Sequence, residues 1–188
     1  METWAWVAIA GAAVLLLVLL VAVAMRRGGR RRRLRETFGA EYERAVTDNG
    51  NRQRAEQELL ERQRRHEDFE LHSLSVAGQE RFEEEWRTAQ MRFLDDPEGA
   101  ARAADVLVAR LMEERGYPHA QDRDQRAADL SVEHPEAVGA YRRGWSLLDG
   151  VHGESAEGTE SLRQAMRSFR TAFEELLGER ERAGAAGS

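Results

Sequence analysis

Residues 4–35 read WAWVAIAGAAVLLLVLLVAVAM followed by RRGGRRRRLR, and the architecture turns on that join. The 22 residues from Trp4 to Met25 carry no charged side chain. As a helix rising about 1.5 Å per residue they reach roughly 33 Å, the depth of a hydrocarbon core. A helix satisfies its own backbone groups, and Ala, Val, Leu and Ile leave no polar side chain stranded in lipid. The expectation is an N-terminal transmembrane helix over residues 1–25. Trp4 and Trp6 sit at its start, where an indole keeps its ring in the apolar zone and its N–H at the headgroups.

Orientation follows from the cations. Arg26, Arg27, Arg30, Arg31, Arg32, Arg33 and Arg35 form an Arg-rich juxtamembrane segment, residues 26–35, and no basic residue precedes Trp4. The positive-inside rule places the C-terminal side in the cytoplasm and the N-terminus outside. The expected contacts are the lipid bilayer and, through the arginines, anionic lipid headgroups. The alternative is export after cleavage, since Ala22-Val23-Ala24 resembles a signal-peptidase site. Against it, Met1-Glu2-Thr3 has no basic residue and the arginines would themselves have to cross.

The whole chain has a net charge of −6; setting aside Glu2 and the seven arginines leaves −12 on residues 36–188. An acidic body argues against nucleic acid, because duplex binding needs a basic face. Only the arginine segment could tether DNA, and lipid accounts for it more simply. Cysteine is absent, which removes disulfides, thiolate metal sites and Cys nucleophiles.

After the anchor the periodicity is helical, and residues 36–178 are expected as one soluble domain, an irregular bundle of short amphipathic helices. Leu34, Phe38, Tyr42 and Ala45 make one stripe, closed by Asp48-Asn49-Gly50. Asn51 caps a mostly solvated helix with Ala55 and Leu59 inward, and Ser75 caps one with Phe82, Trp86, Ala89 and Phe93 inward. Asp96-Pro97 and Pro135 open two more. These bury Ala101, Ala104, Leu107, Val108 and Leu111, then Val138, Tyr141, Trp145 and Leu148. Thr159 is the expected cap of the last helix, whose stripe Leu162, Ala165, Met166, Phe169, Phe173, Leu176 is the strongest and ends at Gly178. Residues 179–188 have no apolar stripe and read as a disordered tail.

Site chemistry is sparse. His66, His72, His119, His134 and His152 show no i,i+4 pair of the zinc-helix kind, and turn or cap roles at the surface are expected for His119 and His134. Glu83-Glu84-Glu85, Asp95-Asp96 and Glu113-Glu114 fit solvated faces and helix N-termini. No nucleophile elbow, dinucleotide fingerprint or phosphate loop occurs. No cofactor, metal ligand or catalytic residue is assigned.

Three stretches carry a family likeness: Phe38-Gly39-Ala40-Glu41-Tyr42, the run Arg126 to Pro135, and Leu162 to Met166 with Phe169-Arg170 and Phe173. They resemble an uncharacterised family of single-pass bacterial membrane proteins with a helical soluble domain and no assigned activity. The resemblance implies a bacterial origin and a membrane anchor, and it transfers no site residues. The expected function is that of a cytoplasmic, membrane-anchored protein-interaction module rather than an enzyme. The alternative is an enzyme with a pocket between helices near the membrane surface.

Overall fold

The computed structural model describes residues 3–151 and 155–178; within the first helix the side chains of residues 3–14, 22–24 and 27 stand outside that description. The side chains of Trp4, Trp6 and Arg27 therefore lie outside that description, and His152 and the tail 179–188 lie outside the described residues. Among the described residues the chain is all-α, with eight helices and no strand.

Helix α1, Thr3–Phe38, carries the apolar run and the arginines on one unbroken axis. Among the described residues no helix is long and apolar enough to cross a membrane. The apolar side chains of the run that are described, Leu15–Val21 and Met25, are each more than half exposed.

The stripe from Leu34 to Ala45, expected on one helix, is divided between two. Gly39 takes φ 50, which ends α1 and starts α2, Ala40–Asn49. Only glycine adopts that angle without strain. All four stripe residues are nevertheless buried. Gly50, at φ 60, caps α2 in the left-handed conformation. Asn51 Oδ1 then accepts the Gln53 N–H at 2.7 Å and opens α3, Arg52–Glu67. Leu34, Phe38, Tyr42 and Ala45 close with Ala55 and Leu59 of α3 into a small core, against which Val132 also packs.

The remaining five helices share a larger core. They are α4, Val76–Arg92; α5, Pro97–Glu114; α6, Arg123–Leu130; α7, Pro135–Asp149; and α8, Ala156–Leu177. Ser75, Asp96 and Asp122 each accept a backbone N–H at the starts of α4, α5 and α6. For α8 the cap is Ser155, whose Oγ accepts the Gly158 N–H at 2.9 Å, and not Thr159. Ser155 offers the same kind of acceptor four residues earlier, and Thr159 sits one turn inside, donating to the Ser155 carbonyl at 3.0 Å.

Helix α8 packs most extensively against α7 and α5. Phe173 stacks on Trp86 of α4 at 4.9 Å, and Phe169 meets Tyr141 of α7 edge-on at 6.0 Å. The α7–α8 approach depends on Gly144, where an added Cβ would lie 2.6 Å from the Phe169 ring. Phe93 and Trp145, expected inward, are only partly buried and lie at the margin of this core.

A polar seam joins the two cores. Glu41 of α2, 5 % exposed, lies 3.4 Å from Arg142 Nε of α7 and 3.8 Å from Arg62 Nη1 of α3. Arg65 of α3 reaches the buried Asp129 of α6 at 3.3 Å. Buried charges of this kind need partners, and each carboxylate here has one from the opposite side of the seam.

Candidate functional site

The arginine segment is placed by its own helix and by α3. Helical spacing sends Arg26, Arg30 and Arg33 to one side of α1, where with Leu34 and Thr37 they face Leu60 and Gln63 of α3. The groove between the two helices has a volume of about 910 Å³. These three arginines are exposed and have no carboxylate partner among the described residues.

The other arginines diverge. Arg32 pairs with Glu36 at 2.8 Å and Arg35 with Glu43 at 2.7 Å, while the Arg35 guanidinium also lies 5.1 Å from the Tyr42 ring centroid. Arg31 turns toward α3 and lines a second groove, about 620 Å³, with Asn51, Gln53 and Glu56. Tyr42 donates its hydroxyl to Glu56 at 2.8 Å; burial, and then that carboxylate, raise its pKa above the ordinary phenol value. Arg35 thus braces α1 on α2, Arg32 is held within α1, and Arg26, Arg30 and Arg33 have no carboxylate partner among the described residues. Guanidinium groups bind phosphate oxygens in a bidentate fork, so these three suit a phosphate-bearing surface, with one carboxylate, Glu36, in the same groove and paired to Arg32.

Inside the large core the ionisable groups are absorbed by structure. Buried Asp105 accepts from Tyr141 Oη at 3.0 Å and from Arg123 Nε at 3.0 Å; Arg126 donates in turn to the Tyr141 oxygen at 2.8 Å. Burial, then the Asp105 charge, push the Tyr141 phenol far up, so it is a fixed donor at any ordinary pH. This set joins α5, α6 and α7.

His134, expected at the surface, is 3 % exposed. It precedes Pro135 at the start of α7, as its sequence context implies, but that helix start is closed over by α8: His134 Nδ1 lies 3.7 Å from Glu175 Oε1. Burial first, and then the Arg115 guanidinium, hold its imidazole below the ordinary value. Its neighbour Glu133 also faces His66 at 3.7 Å and accepts from Tyr117 Oη at 3.3 Å. His119 is exposed in its loop, with Nδ1 2.5 Å from Glu113 Oε1. Among the described residues no three His, Asp or Glu side chains are placed to hold a metal ion.

Of the acidic clusters, Asp96 caps α5, and Arg92 followed by the Gly99 N–H holds its carboxyl below the usual range. Glu85 reaches across to Arg110 of α5 at 2.6 Å. Thr37, Leu60 and Gln63, which line the arginine groove together with Gly29 and Glu36, carry no sequence signal of their own. Leu60 lies beside the apolar position Leu59 but off the stripe, and only the packing of α3 on α1 makes it a groove wall. Compared with known protein families, curated proteins and solved structures, the chain matches none.

Proposed function

We propose that this chain is a single-pass membrane protein in which the first part of α1 is the anchor, the arginines meet an anionic leaflet, and the helical body is a cytoplasmic protein-interaction module. One observation carries the reading. Leu15 to Val21 are seven consecutive apolar residues on a helix, 51–71 % exposed, with no other described residue covering them. A helix that is apolar all round is buried in something, and lipid is the medium that meets the uncharged run from Trp4 to Met25.

The unpaired Arg26, Arg30 and Arg33 support contact with headgroup phosphates. Each cation near an anionic leaflet contributes about 1 kcal/mol. Tethering raises the local concentration of a weak binder, so a modest surface on the body suffices for a membrane-associated partner. The family likeness to single-pass bacterial proteins is part of the same proposal.

A reporter active only in the cytoplasm, fused after Ser188, works under this reading, and one active only after export does not. Neutralising Arg26 to Arg35 weakens the preference. The opposite reporter pattern in the unmodified fusion overturns the cytoplasmic assignment. Proximity labelling from Ser188 that recovers no reproducible neighbour overturns the interaction module.

A further inference from the structure

Gly29 stands in the middle of the arginine row, one turn after Arg26 and one turn before Arg33, and lines the α1–α3 groove with them. A Cβ added there meets no atom within 4 Å, so the floor of the groove between the two arginines is open. A glycine inside a helix costs about 1 kcal/mol against alanine, and here it leaves room among cations.

The groove is rich in donors. Among the described residues the guanidinium groups of Arg26, Arg30 and Arg33, the Thr37 hydroxyl and the Gln63 amide have no hydrogen-bond or ion-pair partner. Glu36, the carboxylate in the lining, is held by Arg32 at 2.8 Å. Arg30 also borders the neighbouring groove, where Glu56 is held by the Tyr42 hydroxyl. Three cations beside two neutral donors match a ligand that only accepts hydrogen bonds and carries more than one negative charge.

Phosphates divide on that requirement. A phosphodiester offers two free oxygens and one charge, enough for a single guanidinium fork. A phosphomonoester offers three oxygens and a charge of about −1.5 to −2 at pH 7, which several guanidinium groups share. Depth points to the source. Along the α1 axis Arg26, Arg30 and Arg33 stand about 1.5, 7.5 and 12 Å beyond Met25, the end of the uncharged run. The headgroup layer on each side of a bilayer is roughly 5–7 Å deep, so with that run as the anchor the row crosses it. A lipid phosphate then reaches the groove from the hydrocarbon side, its acyl chains beside the exposed Leu15 to Val21.

We infer that the α1–α3 groove is a discrete site for a terminal phosphate, a phosphomonoester, carried on a lipid. This rests on the anchor reading and names the lipid class that the arginines select, whereas diffuse attraction takes any anionic headgroup.

The test uses the full chain in nanodiscs of phosphatidylcholine doped with phosphatidate or, at matched surface charge, with phosphatidylglycerol. Native mass spectrometry counts the lipid retained on the released chain. One phosphatidate per chain is expected, retained about fivefold or more above phosphatidylglycerol. Gly29→Leu fills the groove floor, leaves charge unchanged and favours the helix, and it brings the ratio of the two lipids to about one. Arg33→Gln does the same. Arg35→Gln removes an equal charge outside the groove and keeps the wild-type ratio. Circular dichroism checks the fold of each variant.

A ratio of about one for the wild type overturns the inference and leaves the anchor standing, because the arginines then act as diffuse charge. So does a wild-type ratio kept by Gly29→Leu. Inorganic phosphate or glycerol 3-phosphate in excess leaves the retained lipid in place; displacement by either assigns the groove to a free phosphate, displacement by a short duplex DNA assigns it to nucleic acid, and both overturn the inference. The reading beneath it fails separately: a full chain that alkaline carbonate strips from liposomes overturns the anchor, and the lipid source with it.

Discussion

The two cores of this molecule are built on different scales. The small one closes six buried apolar residues from α1, α2 and α3, only Phe38 and Tyr42 of them aromatic. The large one holds Phe82, Trp86, Tyr117, Tyr141, Phe169 and Phe173 among residues from all five later helices. A small core cannot offset the ordering entropy of its own chain, and short helices are marginal without a partner face. The small core is therefore stable because it leans on the large one through Val132 and the Glu41–Arg142 seam, whereas the large core depends on no residue of α1. Helix α1 thereby ties the proposed anchor to the body through Leu34 and Phe38, with no flexible linker between them.

The largest expected effect separates the two regions outright. Residues 69–178 alone keep a helical circular dichroism spectrum and a cooperative melt, whereas residues 26–68 alone show no cooperative transition. A cooperative melt of residues 26–68 would make the small core self-sufficient and end the contrast.

Within the large core, Trp86→Ala and Phe169→Ala each destabilise by about 3–5 kcal/mol, the usual result of deleting a buried aromatic side chain. Denaturant titration checks this, and unchanged midpoints for both would place the stripes against solvent. The seam comes next. Arg142→Ala strips buried Glu41 of its nearest cation, leaving Arg62 at 3.8 Å, and lowers the stability of the α1–α3 unit by about 3 kcal/mol. Two resolved transitions, the earlier one α1–α3, are the expected signature, and a single transition shifted as a whole would show that the cores are one.

Gly144→Ala sharpens the same contrast from the large side. A Cβ 2.6 Å from the Phe169 ring forces α7 from α8 and costs about 2 kcal/mol by overpacking, without a separate loss of the small core. The large-core transition alone moves.

The last expectation is a pH dependence. His134 has a folded pKa held below its unfolded value of 6.5 by burial and then by Arg115. Above pH 6.5 the ring is neutral in both states and its contribution is complete. As pH falls below that value the unfolded chain takes the proton first, so stability declines toward the lower folded pKa. His134→Gln flattens this part of the profile; an unaltered slope would mean that the ring is solvated.

Much of the helical framework is legible in the residues because caps and stripes are local physics. Asn51, Ser75, Asp96-Pro97 and Pro135 open the helices where their side-chain acceptors or missing N–H groups demand it, and the α8 stripe from Leu162 to Leu176 is buried as its spacing requires. Thr159 failed as a cap because Ser155 offers an equivalent hydroxyl a turn earlier, and a local preference does not rank two equal candidates. The arginine run was equally plain, but which of its members face outward was not. That depends on the rotation of α1 against α3, which leaves Arg26, Arg30 and Arg33 without a carboxylate partner among the described residues and draws Arg35 to Glu43.

By itself the sequence determined an all-α chain with a long uncharged run, a band of arginines and an acidic body, since periodicity, capping and charge are properties of neighbouring residues. Tertiary structure alone decided that the stripes divide into two cores, that His134 lies under α8, that Glu41 meets Arg142 at a distance of 101 positions along the chain, and that α4 and α5 leave an open groove rimmed by ion pairs. Each of these depends on how helices cross, and crossing is set by the summed fit of many side chains from distant parts of the chain, which no local pattern encodes.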